Sequence, residues 1–338
     1  MTGAMAGRPD LPAHSRCLVT GASGFIGSHL AAALAAAGHD VACLVRPESR
    51  VDFLSTLPVR LVEGDCRDSG SLRAAVTGVD YVFHLAGVIT APDRETFFAV
   101  NAGGTKNLAE ACLEWNPALR RLVYVSSIAA TGPSPRGGIL NEGDECHPVS
   151  HYGHSKLAAE QHLRAAGDRL PWVIIRATNV LGPRQHDLER SVAVLRRHIK
   201  PLFGRKDSCT SVVGVWDLVR ALLLAAADGR AIGRTYFVTD GKPVFWRTIT
   251  DIVARAAGVQ GALLPVPFPL MYLIAAMTEQ TAHFQKTPAP ITREQVLAFW
   301  KYDWVYSSDA IARELDFRPE MDLESVLAQT FEKPASGG

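Results

Sequence analysis

The chain lacks a surplus of charge of either sign: 35 Lys and Arg stand against 34 Asp and Glu, a formal net charge of +1. No global basic field exists to hold a nucleic-acid backbone, and no nucleic-acid partner is expected. No stretch reaches about 18 uninterrupted apolar residues, so no integral membrane segment is predicted. Residues 1–16 lack the apolar run of a secretory signal, which makes a cytoplasmic protein the expectation. Cysteine is sparse. The six, at 17, 43, 66, 112, 146 and 209, form neither a C-x-x-C pair nor a close Cys/His spacing, so no metal site is expected and the thiols read as reduced core or loop residues.

The 338 residues are 47% apolar, enough for a large buried core. Strand-like apolar runs recur at 17–20, 41–45, 59–62, 81–85, 121–126 and 172–176, separated by segments long enough for crossover helices. Runs this continuous suit strands covered on both faces. They predict an α/β fold with a doubly wound parallel sheet. Residues 28–37 are nearly all small and apolar and stop at Gly38, the pattern of a helix packed close to a sheet and ended by glycine.

Residues 17–27, CLVTGASGFIG, are a strand, a glycine turn and a helix start, with Gly21, Gly24 and Gly27 three apart. The first glycine permits the tight turn, the second lets a pyrophosphate approach the backbone, and the third lets helix and strand pack closely. The sheet is therefore expected to be Rossmann-type. About twenty residues on, where NAD-binding folds place an acid, stands Arg46. With Ser49 and Arg50 it can hold a 2′-phosphate, which favours NADP(H), while Glu48 keeps NAD(H) possible. The alternative is an exposed basic loop that leaves the choice open. Residues 16–180, with a return at about 210–250, make the dinucleotide-binding domain. Residues 181–210 and 250–331 make a smaller C-terminal substrate-binding lobe, between a flexible N-terminus (1–15) and a tail (332–338).

Tyr152 and Lys156 stand four apart and share one face of a predicted helix. A nearby ammonium and a nicotinamide cation stabilise a phenolate and bring it into range for acid-base work. Upstream, the run VYVSS (123–127) is an apolar strand ending in two hydroxyls, where such sheets bind ligands. Six ordered motifs are present: TGxxGFIG at 20–27, Gly64-Asp65, HLAG at 84–87, NxxGT at 101–105, YxxxK at 152–156 and RxxNVxGP at 176–183. Together they resemble the extended short-chain dehydrogenase/reductase superfamily, also called NAD-dependent epimerase/dehydratases, over about residues 15–330.

The resemblance implies that Ser127 is the catalytic hydroxyl, Tyr152 the general acid or base, and Lys156 the residue that grips the nicotinamide ribose and lowers the tyrosine pKa. It implies cofactor contacts from Gly21, Ser23, Gly24, Phe25, Ile26, Gly27, Arg46, Ser49, Arg50, Asp65, Cys66, Leu85, Ala86, Gly87, Val125, Tyr152, Lys156, Ala177, Asn179 and Val180. Substrate contacts would come from Ser127 and Asn179. Asn101 would brace the sheet, and both Asn101 and Arg176 can equally serve only to hold backbone. A homodimer is the family's common form.

Ile128 and Ala129 follow Ser127 where sugar dehydratases carry an Asp-Glu pair, so elimination of water is disfavoured. The segment 206–217 lacks the arginine that epimerases use on a diphosphate, whereas Asn179 keeps a sugar substrate open. Residues 236–249 resemble 3β-hydroxysteroid dehydrogenase-like and dihydroflavonol reductase-like members, which interconvert alcohols and ketones on bulky, apolar molecules. The expected activity is thus an NADP(H)-preferring oxidoreductase acting on a small-molecule secondary alcohol or ketone. The alternatives are a nucleotide-sugar 4-epimerase with tightly bound NAD, and a cofactor-bound regulatory protein without turnover.

Several features stay open. The apolar run 263–277 reads first as core of the smaller lobe and second as a lid, pocket wall or surface-associating segment. Trp300, Tyr302, Trp304 and Tyr306 alternate at strand period and read as packing before pocket wall. Seven basic residues (184, 190, 196, 197, 200, 205, 206) sit on a predicted helix and loop, a solvated face before a phosphate site. His84, His151 and His154 read as supporting or loop histidines.

Overall fold

A computed structural model describes residues 10–331, apart from 186–187, 189–191, 193–194, 196–198, 203–204, 206, 261 and 286. One parallel sheet runs in the order β3-β2-β1-β4-β5-β6-β11. Its strands are β1 (Arg16–Thr20), β2 (Asp40–Val45), β3 (Arg60–Glu63), β4 (Tyr81–His84), β5 (Arg121–Ser127), β6 (Trp172–Ala177) and β11 (Thr235–Val238). The chain winds outward from β1 to β3, then returns to β4 on the other side. The crevice between β1 and β4 is the switch point at which such sheets receive ligands.

Successive residues of each strand point to opposite faces. Val19, Cys43, Phe83, Val123, Ile175 and Tyr236 pack beneath α1 (Phe25–Ala36), α7 (Val215–Ala227) and α11 (Asp309–Leu315). Leu18, Ala42, Val82, Leu122, Tyr124 and Ile174 pack beneath α2 (Ser69–Val76), α4 (Gly104–Trp115) and α6 (His151–Ala166). Both faces are covered, as the unbroken apolar runs predict. Six strands lie within one or two residues of their predicted bounds. The seventh, β11, pairs outside β6 and has no counterpart among the predicted strands. Helix α1 starts three residues earlier than expected, because Phe25 onward is already helical. Gly38 follows its end at φ +78°, the left-handed region that glycine adopts without strain.

Small pairs finish the sheet structure: β7 (Asn179–Leu181) with β10 (Val212–Gly214), β9 (Cys209–Thr210) with β12 (Val244–Phe245), and β8 (Ile199–Leu202) with β13 (Ala262–Pro265). Around them stand α8 (Trp246–Ala256), α9 (Phe268–Gln285), α10 (Arg293–Lys301) and α12 (Leu323–Phe331). Leu181, Ile249, Val253, Val326 and Leu327 form a separate core there.

Four expectations are corrected. The run 263–277 is core on one side only: Met271 and Ala275 pack on Val296 of α10, while Leu270, Leu273, Ile274 and Met277 of α9 are exposed. The helix is apolar all round but has a neighbour on one face. Trp300 lies in α10 and Tyr302 caps it, so strand alternation holds only for Trp304 and Tyr306, which bridge to Thr210 and Leu140. Within residues 1–15, expected to be loose, Leu11 and Ser15 are buried. Lys200 belongs to strand β8 and not to a helix, and it pairs with Asp251 at 3.1 Å. Arg184 lies over the Phe53 ring and Arg205 pairs with Asp207 and Asp303, so these three are engaged rather than free for a phosphate. Residues 190, 196, 197 and 206, and the tail 332–338, lie outside the described residues. No helix among the described residues is long and apolar enough to cross a membrane.

Candidate active site

The glycine turn has no room for side chains. Gly21 has φ +70°, and a Cβ there would sit 2.6 Å from Ala86 N; a Cβ on Gly27 would sit 2.2 Å from Gly21 O. Ser23, Phe25 and Ile26 complete the turn into α1. Gly24 caps α1 without any side-chain acceptor for the first-turn amides. A helix start so left open suits an anion, so the chain's own geometry fits a dinucleotide pyrophosphate. Leu85, Ala86 and Gly87 run past this turn from the end of β4, with Ala86 N donating to Thr20 Oγ1 at 3.2 Å.

At the end of β2, Arg46 is exposed and its guanidinium lies 3.3 Å from Glu48. Ser49 Oγ accepts from Arg46 N, and Arg50 is exposed. Beyond β3, Asp65 is engaged by Arg67 at 2.6 Å, which holds its carboxyl below the usual range, and Cys66 is buried. These positions follow the ends of β2 and β3, the two strands beyond β1 on one side of the sheet. Ala177 and Val180 are buried at the end of β6 and in β7, and Asn179 Nδ2 donates to Thr210 Oγ1 at 2.6 Å.

Ser127 ends β5 and caps the short helix α5 (Ile128–Thr131), its Oγ accepting from Ala129 N at 3.1 Å. That leaves the hydroxyl hydrogen to donate elsewhere. Helix α6 begins at Ser150, whose Oγ accepts from Gly153 N. A Cβ on Gly153 would lie 2.2 Å from Ala129 O, so only glycine lets α6 approach α5 this closely. The close approach brings Tyr152 beside Ser127. Burial pushes the Tyr152 phenol up, and a hydrogen bond from Ser127 works against that.

Lys156 donates from Nζ to Val125 O at 2.7 Å and lies 4.3 Å from the centre of the Tyr124 ring. Its ammonium is thus held on β5, and a Cβ built on Gly87 would lie 3.9 Å from it. Burial is the larger influence and raises the Tyr152 phenol, and the group that opposes it is Ser127 rather than the Lys156 expected. Burial also pulls Lys156 down to about 7, opposed by Glu160 one turn further on. Glu160 is fully buried and accepts from Ser126 Oγ, Arg164 Nη2, and Nε and Nη2 of Arg176. Its four-residue step from Lys156 is the signal that could have revealed it. Asn101 accepts from Val88 N and donates to Val88 O and Ser155 Oγ, tying the Gly87 loop to α6. It sits in a π-helical stretch, Phe98–Gly103, a local widening found often at functional sites.

His84 is not available to a metal: its two ring nitrogens meet Thr20 Oγ1 at 2.7 Å and Thr105 Oγ1 at 2.9 Å. Burial pulls it down to about 3, so it stays neutral. Among the described residues no cluster of His, Cys, Asp or Glu could hold a metal ion.

Ser127, Tyr152 and Asn179 all open on one cavity of about 800 Å³. Its remaining wall is mostly apolar: Ile89 and Phe97 on one side, and Trp246, Pro288, Pro290, Ile291, Phe299 and Trp304 on the other. No Lys or Arg lines it among the described residues, and Glu294 is its one carboxylate. The apolar wall that 263–277 offered as a second reading comes instead from 288–299, and Trp304 both packs on the Ile128, Phe237 and Tyr306 cluster and lines the cavity. The wall brings Ile89, Phe97 and Trp246 together with the 288–304 stretch from distant parts of the sequence, so no local signal marks it.

Comparison with known proteins places this geometry. The family model described as the NAD dependent epimerase/dehydratase family matches residues 17–238. The 3 beta-hydroxysteroid dehydrogenase/Delta 5→4-isomerase of Mycobacterium tuberculosis is 30% identical over 337 residues, covering 93% of this chain and 89% of that protein. The 2-alkyl-3-oxoalkanoate reductase of Shewanella oneidensis is 28% identical over 282 residues, covering 78% and 72%. The crystal structure of UDP-glucose 4-epimerase from Thermotoga maritima shares the fold with a TM-score of 0.77 at 22% identity, over 94% of this chain and 97% of that one. With the glycine cradle, the Ser127–Tyr152 pair and these matches in hand, the chain belongs to the NAD dependent epimerase/dehydratase family and is an oxidoreductase of the extended short-chain dehydrogenase/reductase type.

Proposed function

We propose that the protein interconverts a secondary alcohol and a ketone on a bulky, largely apolar substrate, with NADP(H) as the preferred partner. The observation that carries this reading is the juxtaposition of the Ser127 and Tyr152 hydroxyls on one wall of a cavity that is otherwise largely apolar and free of cations among its described residues. The relatives named for a hydroxysteroid and for a 2-alkyl-3-oxoalkanoate support an oxygen function on such a body.

A dinucleotide held in the glycine cradle would supply or take the hydride at the carbon. In the reducing direction Ser127 donates its hydroxyl hydrogen to the carbonyl oxygen, its lone pair being held by Ala129 N–H. Tyr152 then delivers a proton to that oxygen as negative charge develops. A phenol pushed up by burial remains protonated near neutrality, which is the form this step needs. Lys156, held on Val125 O, would grip the nicotinamide ribose. Gly21, Gly24 and Gly27 would hold the pyrophosphate, and Asp65 and Cys66 the adenine end. Oxidation runs the same steps in reverse. Residues 16–180 with the returning segment serve the dinucleotide, and the later segments serve the substrate.

The NADP preference rests on Arg46 and Arg50, exposed beyond β2; Glu48 beside Arg46 opposes it in part. Cytoplasmic residence and a homodimer complete the reading, the second tested by sedimentation of the purified protein. A nucleotide-sugar 4-epimerase is the rival, with Asn179 in the wall as its support. A diphosphate buried in this cavity would meet no lysine or arginine among the described wall residues, which argues against it. Tyr152→Phe tests the central step: turnover of ketones by NADPH is lost while dinucleotide affinity stays near wild type. Unchanged turnover refutes it, and activity without added nicotinamide favours the epimerase.

A further inference from the structure

Glu294 is half-buried and is the one carboxylate in the largely apolar wall among its described residues. It is the second residue of α10, and its backbone is set by a reciprocal cap at the start of that helix. Gln295 N donates to Thr292 Oγ1 at 3.2 Å, and Thr292 N donates to Gln295 Oε1 at 3.0 Å. From this fixed start, Glu294 Oε1 accepts the backbone N–H of His151 at 3.0 Å, across 143 residues of sequence.

His151 is the first residue of α6, and Tyr152 is the second. The first four N–H groups of a helix have no partner within it. Ser150 satisfies Gly153 from the cap, and Glu294 satisfies His151 from the start of α10. A carboxylate at a helix start is also favoured by the partial positive charge there. His151 and His154 of α6 and Glu279 of α9 are the other titratable groups around it, and Glu279 is itself engaged by Arg293.

We propose that Glu294 is a positioning residue: through the His151 N–H it holds the first turn of α6, and so sets where the Tyr152 hydroxyl stands relative to Ser127. The inference rests on the reading of Tyr152 as the proton donor. It places control of the proton-delivering helix in the segment that also walls the substrate cavity.

The test compares Glu294→Ala with Glu294→Gln in the full chain. The amide oxygen of Gln can accept the same N–H; Ala cannot. Because a misplacement of about 1 Å in a reacting group can cost on the order of 100-fold, Glu294→Ala is expected to lower kcat by at least about tenfold, and Glu294→Gln to recover most of it. Dinucleotide affinity stays unchanged in both. Amide hydrogen exchange of the peptide spanning residues 150–156 gives a reading independent of turnover: faster in Glu294→Ala, near wild type in Glu294→Gln. A change in KM alone, equal losses of kcat in the two variants, or unchanged exchange in Glu294→Ala overturns the proposal. Wild-type protein that reduces no carbonyl defeats the functional reading instead, and the exchange comparison still decides whether Glu294 holds the helix.

Discussion

Replacing Glu160 by Gln isolates the buried charge network behind the candidate catalytic residues. The Glu160 carboxylate is fully buried and accepts at 2.6 Å from Ser126 Oγ, at 3.0 and 2.8 Å from Arg176, and at 2.9 Å from Arg164. Arg164 is 37% exposed and can turn to water, but Arg176 is 2% exposed and would be left as a buried cation without its counter-charge. Breaking such a pair costs about 3–5 kcal/mol. At roughly 2 °C per kcal/mol for a chain of this size, Tm should fall by about 6–10 °C in scanning fluorimetry.

A second readout follows from Lys156, already held near 7 by burial with Glu160 opposing the shift. Without that negative charge its pKa falls further. A lysine is charged below its pKa, so the loss of activity as pH rises through it should move to lower pH in the profile of kcat/KM. Glu160→Gln with Arg176→Met removes the orphaned cation and should restore much of the stability without restoring the pH profile. A Tm within about 1 °C of wild type would be far below the expected cost of a broken buried pair, and with an unmoved profile would refute the reasoning.

Gly153→Ala places a Cβ against Ala129 O and pushes α6 off α5; kcat should fall by about 100-fold with dinucleotide affinity kept, as fluorescence titration and steady-state kinetics can check. His84 is neutral in the fold, with a pKa of about 3 against an ordinary 6.5. The unfolded chain therefore binds the extra proton first as pH falls, and stability is lost between about pH 6.5 and 3, by up to about 1.4 kcal/mol per unit. Urea unfolding across that range should show a slope that His84→Gln reduces. Arg46→Asp should turn preference from NADP toward NAD by about 10- to 100-fold in kcat/KM, the worth of charge-assisted hydrogen bonds to a phosphate; equal preference before and after removes that argument.

The parts of the molecule that obey local rules were legible in the chain. Five of the six predicted strands announced themselves as continuous apolar runs because both of their faces are covered, while the edge strand β3 is mostly exposed. The glycine turn was legible because Gly21 and Gly27 answer steric demands that no other residue meets. Strand β11 was missed: it is a four-residue run that joins the sheet edge beside β6 only after some 60 intervening residues. The helix α9 shows the opposite failure, since apolar residues on every side say nothing of which face finds a partner. The spacing of Tyr152 and Lys156 was right, but their electrostatics depend on what the lysine faces, and it faces a carbonyl and an aromatic ring.

The cavity takes its chemistry and its shape from separate stretches of chain. The hydroxyls stand on β5 and α6, locked together by the Gly153–Ala129 contact, whereas most of the opposing surface comes from residues 288–304. Drift in that later stretch can retune which molecules are admitted while the proton machinery stays intact. New specificities are thus within reach of a few substitutions there, with Glu294 the position at which such drift would be felt on both sides.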